Sequence, residues 1–149
     1  MSTPEVLHLQ GQLKPTHVIL PEFSVTATEN AIFAAALLDG ETCIDLAAAE
    51  PHVQAVALMA QAMGATVTGI GTHTVTVRGS KQLHATTQRV PFDYLEAGCL
   101  AIAALVTHGK LRLHDVDDTH LLSFMDTITR AGGVLKYNKA ERTLLVDGE

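Results

Sequence analysis

Three short alternating segments, each closing on a glycine, govern what this chain can become: VLHLQG at 6–11, VTVRG at 75–79 and LLVDG at 144–148. Their glycines stand 68 and 69 residues apart, and other features return in step between them. AALLDG ending at Gly40 matches AALVTHG ending at Gly109, and AMGATV at 62–67 matches RAGGVL at 130–135. The chain therefore reads as two full copies of one unit, 12–79 and 80–149, preceded by the tail of a third at 1–11. Units of this length are supersecondary elements that cannot bury their apolar faces alone, so they must stack.

Within the first copy, an extended THVILP (16–21) leads to a helix at about 26–38, a strand TCIDLA (42–47) and a second helix at about 51–63. Two strands, ATVTGI and HTVTVRG, then follow, joined by a Gly-containing turn. The order is βαβαββ. The second copy repeats it with TTQRVP (86–91), a helix from about 93 to 107, KLRLHDV, a helix from about 118 to 131, and the strand pair VLKYN and RTLLVDG.

The first helix of each copy has a capping-box signature, Thr26-x-x-Glu29 and Asp93-x-x-Glu96. The runs after these caps, AIFAAALL and CLAIAALV, are apolar on every face, which predicts a helix buried all round. The second helices carry polar residues between apolar ones and should be half exposed. Thr-rich strands with one polar face would then clothe the outside, with helices at the centre.

Composition narrows the partners. Ten Lys and Arg against sixteen Asp and Glu give a net charge of −6, without any long basic run, which argues against nucleic acid or an anionic membrane surface. Cys43 and Cys99 have no paired spacing and read as small core thiols in a reducing compartment. With no leader pattern and apolar runs far short of a span, the chain is placed in the cytoplasm. The segment HDVDDTH brings His114, Asp115, Asp117, Asp118 and His120 together, but Asp117 or Asp118 is better read as a helix cap than as a metal ligand. No metal and no cofactor is expected.

The run Ser24-Val25-Thr26-Ala27-Thr28-Glu29-Asn30, the later AAAEPHVQAVALMAQAMGA and the segment VPFDYLEAG carry a resemblance. With Glu50-Pro51 and Asp93-x-x-Glu96-Ala97-Gly98 at the right distances, the chain resembles the middle of UDP-N-acetylglucosamine enolpyruvyl transferases, also called UDP-N-acetylglucosamine 1-carboxyvinyltransferases. The resemblance implies an α/β (α+β) fold of tandem βαβαββ repeats forming an inside-out α/β barrel, helices inside and sheets outside, three units to a domain. It also implies an activity: transfer of the enolpyruvyl group of phosphoenolpyruvate to a UDP-sugar hydroxyl, with release of phosphate, early in peptidoglycan synthesis.

Carried over by residue, the resemblance assigns the diphosphate of a UDP-sugar to the helix start at Ser24, Val25 and Thr26. Exposed N–H groups and the helix dipole favour an anion there. Ser24 and Val25 match the family; Thr26 replaces its glycine, Glu22 its preceding basic residue, and Tyr94 the arginine that follows Asp93. The family's catalytic lysine, loop cysteine and acid–base aspartate belong to segments outside the matched region, so Cys43 and Cys99 do not inherit a role and no catalytic residue is assigned. The chain is thus expected to be a fragment or short relative of the enzyme, without catalysis of its own; the alternative is a non-catalytic oligomeric scaffold or binding module on the same fold. Because two units leave the flank of a central helix uncovered, a homo-oligomer is expected. A trimer, supplying six units, is favoured over a dimer.

Overall fold

The computed structural model describes residue 8 and residues 10–149, so most of the expected 1–11 tail lies outside the described residues. The chain divides into two compact units, one running to Arg89 and the other spanning Val90–Glu149.

In the first unit the elements are β1 (His17–Ile19), α1 (Val25–Ala36), β2 (Glu41–Asp45), α2 (Pro51–Ala62), β3 (Thr66–Thr68) and β4 (Thr74–Arg78). The sheet order is β1-β2-β4-β3, with β1 parallel to β2 and the other pairs antiparallel. Two-residue alternation sorts the side chains. Ile44, Val67, Val75 and Val77 join Ile32, Ala35 and Ala36 of α1 and Val53, Ala57 and Ala60 of α2 in one core. Cys43, Asp45, Thr66, Thr68, Thr74 and Thr76 occupy the alternate positions, on the opposite face.

The second unit contains α3 (Tyr94–Val106), β5 (Lys110–Leu113), a 3₁₀ turn (Asp118–His120), α4 (Leu122–Arg130), β6 (Val134–Asn138) and β7 (Thr143–Asp147). Its sheet, β5-β7-β6, is antiparallel throughout. The strand expected at 86–91 does not form. The chain around it is instead tied to α2 and its end: the N–H of His84 donates to the carbonyl of Met63 at 2.9 Å, and the Gln88 amide donates to that of Ala55 at 3.0 Å.

The glycines that mark the sequence have a packing cause. A Cβ on Gly148 would lie 2.7 Å from the carbonyl oxygen of Ala104, near the end of α3. One on Gly79 would run into the carbonyl oxygens of Ala35 and Leu38 at the end of α1. In the same two places the chain is stitched shut, by Gly79 N–H to Gly40 carbonyl at 3.2 Å and Gly148 N–H to Gly109 carbonyl at 2.9 Å. The last strand crosses the end of the first helix too closely for any side chain, so glycine is the residue that fits.

Neither first helix is buried all round. In α1, Thr28, Ile32, Ala35 and Ala36 face the core, while Phe33 is 51% exposed. In α3 the buried residues are Ala97, Gly98 and Ala101, and Leu95, Leu100, Ile102 and Val106 are exposed. One sheet covers one face of a helix; the second apolar face needs another surface, and within each unit it stays open. Cys99 lies on this exposed side of α3 and Cys43 on the outer face of the first sheet, so neither is the core thiol that was expected.

Candidate functional site

The N-terminus of α1 sits where β1 ends, at the carboxyl end of the parallel pair β1–β2, the usual place for a ligand in sheets with parallel strands. Ser24, not Thr26, is the N-cap: its backbone is extended (φ −90, ψ 120) and its Oγ accepts from the N–H of Ala27 at 3.4 Å. The helix therefore begins two residues before the expected box. Val25 and Thr26 form the first turn, Val25 half-buried and Thr26 exposed. Among the described residues nothing accepts from the N–H of Val25 or of Thr26, leaving two donors at the positive end of the helix dipole.

The turn is held from below by Thr28. Its buried hydroxyl donates to the Ser24 carbonyl at 2.7 Å and accepts from the N–H of Ala48 at 2.9 Å, which fastens α1 to the loop between β2 and α2. That loop turns at Leu46, whose φ of 57 is left-handed, and is pinned by His73 through two bonds to Ala47. Phe23 packs on the His73 ring with centroids 4.4 Å apart. Phe23, Ala48, Ala49, Glu50 and His73 line a shallow depression of ≈ 230 Å³ beside the helix start. Its lining includes one carboxylate, Glu50, with a buried oxygen that finds no partner among the described residues, and no lysine or arginine. Glu22, just before the turn, is exposed.

The structure places the expected residues Ser24, Val25 and Thr26 together at the start of α1 and brings Phe23 and His73, which sequence reasoning did not single out, beside them. His73 is distant in sequence and reaches the site only because β4 pairs with β2, a register that local pattern does not reveal.

The equivalent helix start in the second unit is capped as expected. Asp93 accepts from the N–H groups of Leu95 and Glu96 at 2.8 and 3.0 Å, so these two first-turn donors are already engaged. In HDVDDTH, Asp117 caps the 3₁₀ turn through the N–H and hydroxyl of Thr119, and those bonds hold its carboxyl below the usual range. Asp115 pairs with Arg142, and the His120 ring stacks on Phe92. The cluster is a corner held by pairing, as the capping interpretation predicts.

Comparison with known proteins decides the lineage. The sequence profile of EPSP synthase (3-phosphoshikimate 1-carboxyvinyltransferase) matches residues 3–147. The chain belongs to that family. Among curated relatives, a UDP-N-acetylglucosamine 1-carboxyvinyltransferase of Shewanella frigidimarina is 43% identical over 124 residues, covering 83% of this chain and 30% of the relative. One from Treponema denticola is 47% identical over 100 residues, covering 67% of this chain and 24% of the relative. The chain thus spans about a third or less of the length of these relatives. Among solved structures, the enolpyruvyl transferase NikO from Streptomyces tendae superposes with a TM-score of 0.77 at 17% identity, covering 91% of this chain and 35% of that one. EPSP synthase from Acinetobacter baumannii gives 0.64 at 22%, covering 93% of this chain and 32% of that one. These likenesses establish the mixed helix-and-sheet fold. No described helix is long and apolar enough to cross a membrane.

Proposed function

We propose that this chain is a segment or short relative of a UDP-N-acetylglucosamine 1-carboxyvinyltransferase that keeps an anion-accepting helix start for a UDP-sugar and does not catalyse enolpyruvyl transfer alone. The observation that carries this reading is the start of α1, where two first-turn N–H groups are left without acceptors by a turn fixed by Ser24 and Thr28. Relatives more than 40% identical bear the name of an enzyme for such a substrate. Enolpyruvyl transfer demands a proton donor, a base and cations around phosphoenolpyruvate. The depression beside α1 offers Glu50 and His73 but no lysine or arginine, which supports reading this helix start as a binding element.

Titration of the chain with UDP-N-acetylglucosamine, followed by calorimetry, tests this. Binding should weaken on Ser24→Ala, which loosens the turn, and strengthen on Thr26→Gly, which lets phosphate approach the backbone, and on Glu22→Lys, which replaces a repelling charge. Absence of any heat or NMR shift in all four proteins would leave the scaffold reading standing in its place.

A second reading concerns assembly. The open apolar residues of α3, with Phe33 and Leu37 at α1, favour a second copy of this chain as the occupant of those faces. In this reading the two units, 12–79 and 80–149, are duplicates of one βαβαββ design. Chains associate, as trimers in preference to dimers, until the helices lie inside and the sheets outside, and the product is a cytoplasmic homo-oligomer. Its net charge of −6 disfavours nucleic acid as a partner.

A further inference from the structure

We propose that the outer face of the first sheet carries a zinc-class cation site formed by His17, Cys43 and Asp45, contrary to the expectation from sequence that the chain holds no metal. Sheet register creates it. His17 of β1 lies directly beside Cys43 of β2, and Asp45, two residues further along β2, projects from the same face. One ligand atom from each of the three lies within 4.8 Å of the others, and this is the one such group among the described residues.

The donor set is imidazole nitrogen, thiolate sulfur and carboxylate oxygen, which suits a borderline ion such as Zn²⁺ better than a hard ion such as Mg²⁺ or Ca²⁺. Charge agrees: a dication with one thiolate and one carboxylate is neutral, and His17 binds as neutral imidazole. On binding, the Cys43 thiol releases its proton to solvent as the sulfur–metal bond forms, and a water fills the fourth position on the open side. Tetrahedral zinc needs these donor atoms about 3.3–3.6 Å apart. His17 Nε2 and Asp45 Oδ2 are now 2.7 Å apart, joined by a hydrogen bond that the ion would replace. His17 is exposed and Asp45 and Cys43 are half-buried, so small side-chain rotations open the gap without moving the strands.

A supporting contact is also present. The Thr74 hydroxyl of β4 donates to Asp45 Oδ1 at 2.8 Å, leaving Oδ2 turned toward His17. Orientation of a ligating carboxylate by a neighbouring donor is the usual accompaniment of a metal site. The Cys43 N–H donates to the Thr16 carbonyl at 3.1 Å, which fixes the backbone of β2 beside His17.

The test uses the full chain, freed of metal by a chelator and titrated with Co²⁺ and then Zn²⁺. One equivalent of Co²⁺ should give a thiolate-to-cobalt charge-transfer band that Zn²⁺ abolishes. The band should vanish in Cys43→Ser and His17→Gln, persist in Cys99→Ser, and titrate at least about tenfold more weakly in Asp45→Asn and Thr74→Val. Alkylation of the unaltered chain gives the same answer without any variant: Zn²⁺ should slow modification of Cys43 and leave Cys99 unchanged. The proposal is overturned by absence of the band, by a band that survives Cys43→Ser, or by equal alkylation of Cys43 with and without Zn²⁺.

Discussion

The two units share a plan and differ in how well each covers itself. Among the described residues, fourteen buried apolar ones form the core of the first and six that of the second. The contrast starts in the second helices. α2 is twelve residues long and buries Val53, Ala57 and Ala60, whereas α4 has nine and buries none completely. The first sheet also has a fourth strand, β1, where the second has three strands. One helix with the same apolar character is therefore well seated in the first unit and lightly seated in the second, with Leu95, Leu100, Ile102 and Val106 left open. Apolar sequence specifies that a surface must be covered; the neighbours available decide by what.

The largest expected effects come from removing a core side chain in each unit. Ile44→Ala and Leu144→Ala both empty fully buried positions and should each cost about 2–5 kcal/mol. Both tyrosines, Tyr94 and Tyr137, belong to the second unit. Tyrosine fluorescence in a urea titration should thus move for Leu144→Ala and stay nearly fixed for Ile44→Ala, while far-UV circular dichroism registers both. Equal movement of the two signals in both variants would mean that the units do not unfold separately.

Next come the closing glycines. Gly79→Ala and Gly148→Ala force a methyl group against helix carbonyls and should each cost about 1–3 kcal/mol, measured by chemical denaturation. Gly11, where an added methyl would meet nothing within 4 Å, is the control and should change stability by less than about 0.5 kcal/mol on replacement by Ala.

The helix starts should differ more gently. Asp93→Ala removes a cap with two bonds of 2.8 and 3.0 Å and should cost about 1 kcal/mol in thermal denaturation. Ser24→Ala, losing one bond of 3.4 Å, should cost about 0.5 kcal/mol, the low end of the range. A reversed order would show that the turn at Ser24 is anchored by more than Thr28.

The smallest effect is acidic. Bonds from Thr119 hold Asp117 below its ordinary value of 3.8, so its contribution is present above that pH and is lost as pH falls through the lower, folded value. Between neutrality and pH values below that range the second unit should therefore lose more stability in the natural chain than in Asp117→Asn, a difference read from tyrosine fluorescence. Equal acid sensitivity would show that Asp117 makes no such contribution.

Much of this was legible in residues. Helix and strand positions followed from periodicity and from Gly79 and Gly148, because a close crossing of strand over helix leaves a mark that only glycine can satisfy. Asp93 was legible as a cap because its partners are two and three residues away. The features that escaped depend on non-local pairing. Cys43 meets His17 through strand register, His73 meets Ala47 through β4, and the segment 86–91 is drawn away from a sheet by a side-chain bond to α2. Burial of α1 and α3 was misjudged for a related reason: apolar pattern reports the need for cover, not whether one chain supplies it.

Whether the open helix faces bind further copies of the chain is decided by molar mass from sedimentation equilibrium over a range of concentrations. A particle of three chains is expected, dissociating on Ile102→Asp, a change that leaves the tyrosine-detected fold intact. A single chain of 15.9 kDa at every concentration, in natural and substituted protein alike, would rule such association out.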